Sequence, residues 1–355
     1  MLAHLRLMFT GWWGLARAWM VVLGLLGAIA VTLQILGPPT PAVPKAEVKP
    51  TPVARPAPEP RPVVAAQRPA SIAPQDRPGR DVPGVVADPD PGLLEANPAS
   101  RADMLPRISV DGRMPMQVYA AAFDRETKRA RVGLIVAGIG MNEADSIAAS
   151  RDLPGGVTLA ISPYAQHVQK ALSAARIAGH EYLISLPMEP EGFPLNDPGT
   201  QALMTNLPPT QNLERLDWVL SRLGGYVGVT SVLGPMRGER FTMMTDQMDA
   251  VLAVLRSRGL LYVDARPGQA RSKVVWSVSV DLVIDEPASR EALDARLEEL
   301  SRLAKDRGSA LGLATAPRPM TLERIAAWTN SLNNRGLILA PVTALVEPPV
   351  AETKN

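Results

Sequence analysis

From about residue 114 to 346 short apolar runs alternate with longer amphipathic stretches. The runs at 132–136, 157–162, 182–187, 226–230, 260–264, 281–285, 310–314 and 337–341 predict strands, and the stretches at 143–151, 166–178, 212–223, 245–258, 289–307 and 321–333 predict helices between most of them. In the helix beginning near Ser289, Leu293, Leu297, Leu300 and Leu303 recur at spacings of four and three, which gathers them into one buried stripe with charges opposite. Strands that alternate with helices imply a parallel α/β sheet, either a barrel or a doubly wound sheet. In both, chemistry collects on the loops at the carboxyl ends of the strands.

Upstream the pattern changes twice. Residues 18–37 hold only two polar side chains, Thr32 and Gln34, and no charge. A helix of that length spans ~30 Å, the thickness of a bilayer's hydrocarbon core. Arg6 and Arg17 precede it, no acid occurs before Glu47, and Trp12, Trp13 and Trp19 stand where an interfacial aromatic belt would lie. The expectation is a single-pass anchor in a bacterial inner membrane with residues 1–17 in the cytoplasm and the rest in the periplasm. A cleaved signal peptide is the competing reading, since Ala28 and Ala30 flank Ile29 in a small-x-small pattern, but the apolar stretch is longer than a signal core requires. Between Pro38 and Pro106 fall eighteen of the thirty-five prolines, with no aromatic residue between Trp19 and Tyr119. Residues 38–110 therefore read as a disordered Pro-rich linker, 111–347 as the folded domain and 348–355 as a tail.

Composition narrows the chemistry. The 37 Lys and Arg against 35 Asp and Glu give a net charge of +2, too little for a phosphate-tracking surface, so nucleic acid is not an expected partner. The chain has no cysteine, which excludes disulfides, thiolate metal sites and cysteine nucleophiles. There is no GxxxxGK[ST] phosphate loop, no GxSxG elbow and no HExxH helix. Met236, Met243, Met244 and Met248 have no neighbouring histidines and read as packing residues rather than copper ligands.

The order of segments VAGIG from Val136, DLPGGVTLAISP from Asp152, AGHEYLISLPMEP from Ala178, GVTSVLG from Gly228, GLLYVDAR from Gly259 and PRPMTL from Pro317 resembles the divergent polysaccharide deacetylase family. The resemblance implies a distorted (β/α) barrel of the NodB-like deacetylase type. It also implies a divalent metal such as zinc, held by one Asp and two His, and a neighbouring Asp as base. This sequence departs from that pattern. The family's paired Asp-Asp falls on Ala137 and Gly138, its Asn-His-Met-Gly-Ser segment on 231–235 with Val232 at the histidine, and its Gly-His-Pro turn on 315–317; Ser185 stands where His is frequent.

A hydrolytic zinc site needs about three protein ligands plus an open position for water, and the domain owns only His167 and His180. No cofactor is therefore expected. Glu181, Glu189, Glu191, Asp264 and Arg266 lie in or just beyond strand runs and are expected to converge at one rim; His180, Glu181, Glu189, Asp264 and Arg266 are the ligand-binding candidates, although His180 reads first as a hydrogen-bonded structural histidine near the strand mouth. Glu189 and Asp264 are the candidates for any surviving catalysis, while Asp264 and Arg266 could simply pair with each other. The expectation is a catalytically degraded domain that binds an envelope glycan such as peptidoglycan, or an envelope protein. The alternatives are an active hydrolase that removes N-acetyl groups at a non-standard site, and an interaction protein that uses apolar patches on its outward helix faces.

Overall fold

The computed structural model describes residues 19–24 and 84–350, apart from residue 99. Residues 19–24 are helical and solvent-exposed. The other residues of the predicted span, like 38–83 of the predicted linker and 351–355 of the predicted tail, lie outside the described residues. Among the described residues no helix is long and apolar enough to cross a membrane.

The folded domain opens with a hairpin, β1 (Leu94–Asn97) and β2 (Ser100–Pro106), in antiparallel register from Leu94 opposite Pro106 to Asn97 opposite Ser100. Nine further strands follow: β3 (Ala130–Ile139), β4 (Thr158–Ile161), β5 (Tyr182–Ser185), β6 (Gly228–Thr230), β7 (Leu261–Asp264), β8 (Ser277–Ser279), β9 (Leu282–Val283), β10 (Ser309–Ala314) and β11 (Leu337–Leu339). The helices are α1 (Pro115–Val118), α2 (Glu143–Asp152), α3 (Gln169–Ala178), α4 (Pro209–Leu220), α5 (Thr245–Ser257), α6 (Arg290–Arg307) and α7 (Pro319–Ser331). Local signals set their ends. Asn142 and Ser289 cap α2 and α6 through their side-chain oxygens, Pro209 and Pro319 open α4 and α7, and Gly179 and Gly308 end α3 and α6 in the left-handed conformation.

The nine strands form one parallel sheet in the order β8-β7-β6-β5-β4-β3-β10-β9, with β11 against the start of β3. Its two end strands are halves of one short segment. Ser277–Ser279 pairs with β7, then the Val280 N–H donates to the Asp264 carbonyl, the Asp281 N–H donates to the Leu311 carbonyl, and Leu282–Val283 pairs with β10. The sheet thus curls round until one kinked strand touches both edges, which gives the distorted (β/α) barrel. Alternation along each strand separates two cores. Val132, Leu134, Val136, Leu159, Ile161, Ile184 and Val229 pack outward against the helices. Ile135, Ala137, Ala160, Leu183, Val263, Leu311 and Leu313 fill the barrel.

The linker reading fails for its last part. Leu93 and Leu105 are fully buried, and Arg258 on the edge of α5 donates to both the Glu95 carboxylate and the Pro106 carbonyl. Two leucines and one bridging arginine order a stretch whose proline content alone argues against order. The tail reading fails similarly for its first residues, since the Val350 N–H donates to the Lys273 carbonyl and Arg271 holds the Pro348 carbonyl. The predicted strand at 281–285 is shorter than expected, and β8 before it was not predicted.

Candidate functional site at the barrel mouth

Because the strands are parallel, a residue just before a strand and one just after it lie at opposite ends of the barrel. His180 and Glu181 precede β5, whereas Glu189, Asp264 and Arg266 follow or end β5 and β7. The expected convergence at one rim is therefore incorrect for Glu181, and His180, expected near the strand mouth, belongs with it to the floor.

Glu181 is fully buried. Its Oε1 accepts from Thr158 Oγ1 at 3.2 Å and the Thr343 N–H at 2.9 Å, and its Oε2 from the Ala121 N–H at 3.1 Å and Thr343 Oγ1 at 2.6 Å. Burial raises its pKa and outweighs the lowering by these donors, foremost Thr343. This carboxylate ties β4, β5, the chain before β3 and the turn Val342–Ala344 into a closed floor. Beside it His180, also fully buried, places Nδ1 2.7 Å from the Val157 carbonyl, and burial lowers its pKa. It is a structural histidine under the sheet.

At the mouth, each buried acid is committed to a loop. Glu189 Oε2 accepts the Thr205 N–H and Oγ1, both at 2.7 Å, while Oε1 lies 3.0 Å from Arg240 Nη1. The Glu189 carbonyl also accepts the N–H groups of Arg240 and Phe241, so one residue staples the loops after β5 and β6 together. Asp264 is held bidentately by Arg266, Nε to Oδ1 at 3.0 Å and Nη2 to Oδ2 at 2.7 Å, and that pairing raises the Arg266 pKa. Glu191 lies further out, with its N–H donating to Glu239 at 3.3 Å. A further buried rim acid, Asp285 just beyond β9, is not among the sequence candidates. Its buried carboxylate accepts the Thr315 N–H and Oγ1 and the Ala316 N–H, and pairs with Arg318 at 3.2 Å. The signal was present, since the run DLVID ends in Asp just as LLYVD ends in Asp264.

Between these staples the lining is small, apolar or hydroxylic. Ala137, Val232 and Ala265 are fully buried members of the barrel's inner core. Gly138 has φ of +77°, and a Cβ there would stand 3.3 Å from Pro317 Cδ and 3.4 Å from the Thr315 carbonyl. Ser185 and Thr230 are register partners on the inner face, and both hydroxyls are buried without a hydrogen-bond partner. Among the described residues no three His, Cys, Asp or Glu side chains are grouped so as to hold a metal. The residues present do not fit a hydrolytic zinc centre: the positions where ligands would stand are packed apolar core or a tight glycine turn.

The domain defined by this curled sheet and its mouth is a deacetylase-type barrel. A family model described as divergent polysaccharide deacetylase matches residues 134–346. The chain belongs to that family, which places the domain in carbohydrate metabolism. The solved structure of an uncharacterised protein from Agrobacterium tumefaciens C58 is similar at 29% identity and a TM-score of 0.64, covering 69% of this chain and 100% of that one. A family 4 carbohydrate esterase from Streptomyces lividans, solved in complex with acetate, is 16% identical with a TM-score of 0.38, covering 63% of this chain and 98% of that one. No curated protein matches the chain.

Proposed function

We propose that this chain is an envelope protein, anchored in the inner membrane through residues 18–37, whose periplasmic barrel binds a glycan such as peptidoglycan at its mouth without deacetylating it. The observation that carries the reading is the conversion of the ligand positions Ala137 and Val232 into inner-core residues. A metal-activated water needs carboxylate or imidazole ligands there, and methyl groups supply none. The remaining rim acids Glu189, Asp264 and Asp285 already accept donors from the loops they position.

The mouth keeps what a sugar-binding surface needs. Exposed Met141, Leu195 and Met243 stand on the loops after β3, β5 and β6 to meet the apolar faces of pyranose rings. Of helices α2 to α7 only α3 carries a large exposed apolar side chain, Ile177, which favours the mouth over the helix exterior as the binding face. The full-length protein in detergent should retain peptidoglycan strands and N-acetylglucosamine oligomers in a saturable manner, and M243A should weaken retention. Capture of neither glycan would turn the reading toward a protein ligand.

A further inference from the structure

The inner part of the barrel mouth is closed to solvent. Ala137, Ser185, Thr230, Val232 and Ala265, at the ends of β3, β5, β6 and β7, are each no more than 1% exposed. An ion pair lies across them. Arg237, on the loop after β6, places Nη2 2.5 Å from Oε2 of Glu286, which follows β9. In the curled sheet β7 stands between β6 and the kinked strand of β8 and β9, so this pair is a chord over the mouth rather than a contact between neighbouring loops.

The pair is the least secured of those at the mouth. Glu189 also accepts from Thr205, Asp264 takes two side-chain bonds from Arg266, and Asp285 also accepts from Thr315. Glu286 has Arg237 as its one hydrogen-bonding or ionic partner among the described residues. The Arg237 side chain is 14% exposed and that of Glu286 42%, so water and salt reach the acid while the guanidinium is largely buried. The buried donors are poorly used, since Arg237 Nε has no acceptor and Nη2 makes no hydrogen bond of ordinary geometry.

The backbone that carries Arg237 has a turning point on either side. Gly234 and Gly238 have φ of +58° and +66°, a region that other residues rarely enter. Beyond them the chain is fixed, by Val232 in the inner core and by the Arg240 and Phe241 N–H groups on the Glu189 carbonyl. Between them, among the described residues, 234–237 make only two kinds of polar contact: the reciprocal backbone bonds of Leu233 and Met236, and the pair with Glu286.

We propose that Arg237 and Glu286 form a latch that shuts the barrel mouth, and that residues 234–237 swing about Gly234 and Gly238 to open it. Opening exchanges one half-exposed ion pair for two hydrated ions and uncovers the inner ends of β5 and β6. That the guest is a glycan rests on the reading of the mouth given above; the latch rests on the ion pair and its flanking glycines.

The chain has no cysteine, so S185C places a single thiol beneath the latch, at a hydroxyl that makes no hydrogen bond. Its rate of modification by a thiol reagent in the full-length protein reports opening. E286Q and R237M should each raise that rate at least about threefold. Modification of A175C, a buried control on α3, should not change with them. Rates at S185C indifferent to both latch substitutions overturn the proposal, as does an equal acceleration at A175C, which would signify general loosening. N-acetylglucosamine oligomers should slow modification of S185C in the E286Q background. Acceleration by E286Q without that protection would support the latch and sink the glycan reading of the mouth; retained oligomers with no acceleration would do the reverse.

Discussion

Glu181 and Thr343 meet at the barrel floor twice over, through the Thr343 N–H at 2.9 Å and its hydroxyl at 2.6 Å, although 162 positions separate them in the chain. That contact joins the start of β5 to the last turn of the domain. With Ala121 and Thr158 on the same carboxylate, it closes the end of the barrel remote from the mouth.

E181A should therefore be among the most damaging single substitutions in the domain. It strands buried donors from Ala121, Thr158 and Thr343, each costing about 1–3 kcal/mol where no other acceptor is found. A loss of at least ~3 kcal/mol is expected in denaturant unfolding. An effect under ~1 kcal/mol would mean that the floor is not held this way.

The two floor neighbours should respond to pH in opposite senses. Burial puts the folded pKa of His180 below its usual 6.5, so the stability from its neutral imidazole is complete above about pH 6.5 and is lost as the pH falls through the folded value. Burial puts the folded pKa of Glu181 above its usual 4.5, so the stability from its protonated form is complete below about pH 4.5 and is lost as the pH rises through the raised value. Unfolding midpoints measured from pH 4 to 8 should show H180N lessening the loss on acidification, and E181Q removing the loss on alkalinisation. Parallel profiles for wild type and both variants would contradict this.

Much of this fold was legible from periodicity. The helix beginning at Ser289 was predicted from the leucine stripe, and Leu293, Leu297 and Leu300 are buried as that stripe requires. The predicted strand at 182–187 contains β5, and its alternation sends Leu183 inward and Ile184 outward. The hairpin of β1 and β2 was hidden, because proline content argues for disorder while the order comes from long-range contacts to Arg258 that no local window contains. The site was half legible. The Asp264–Arg266 pair follows from spacing alone, but Glu181 was grouped with the mouth although its place before a strand assigns it to the floor.

Restoring one acid should not restore a metal centre. A137D places a carboxylate in the inner core beside Val232 and Ala265, where an unpaired charge costs several kcal/mol, ~3–5 kcal/mol by analogy with broken buried ion pairs. Thermal unfolding with and without added zinc should show a lowered midpoint that zinc does not rescue. A zinc-dependent rise above the wild-type midpoint would reveal ligands beyond those described.

Glu189 should act on the loops rather than on the barrel as a whole. E189A releases Thr205 and Arg240, so the segments after β5 and β6 should become sensitive to limited proteolysis around residues 191–199 and 237–244. Cleavage rates equal to wild type would show that the staple is redundant with the backbone bonds from Arg240 and Phe241.

The most direct test of the central claim is to incubate the full-length protein with N-acetylated peptidoglycan strands, with and without added zinc, manganese or cobalt, and to follow released acetate by NMR while measuring retained glycan. The account predicts saturable retention with acetate no higher than in a protein-free control under every metal condition. Catalytic release of acetate, beyond one equivalent per chain, would contradict it.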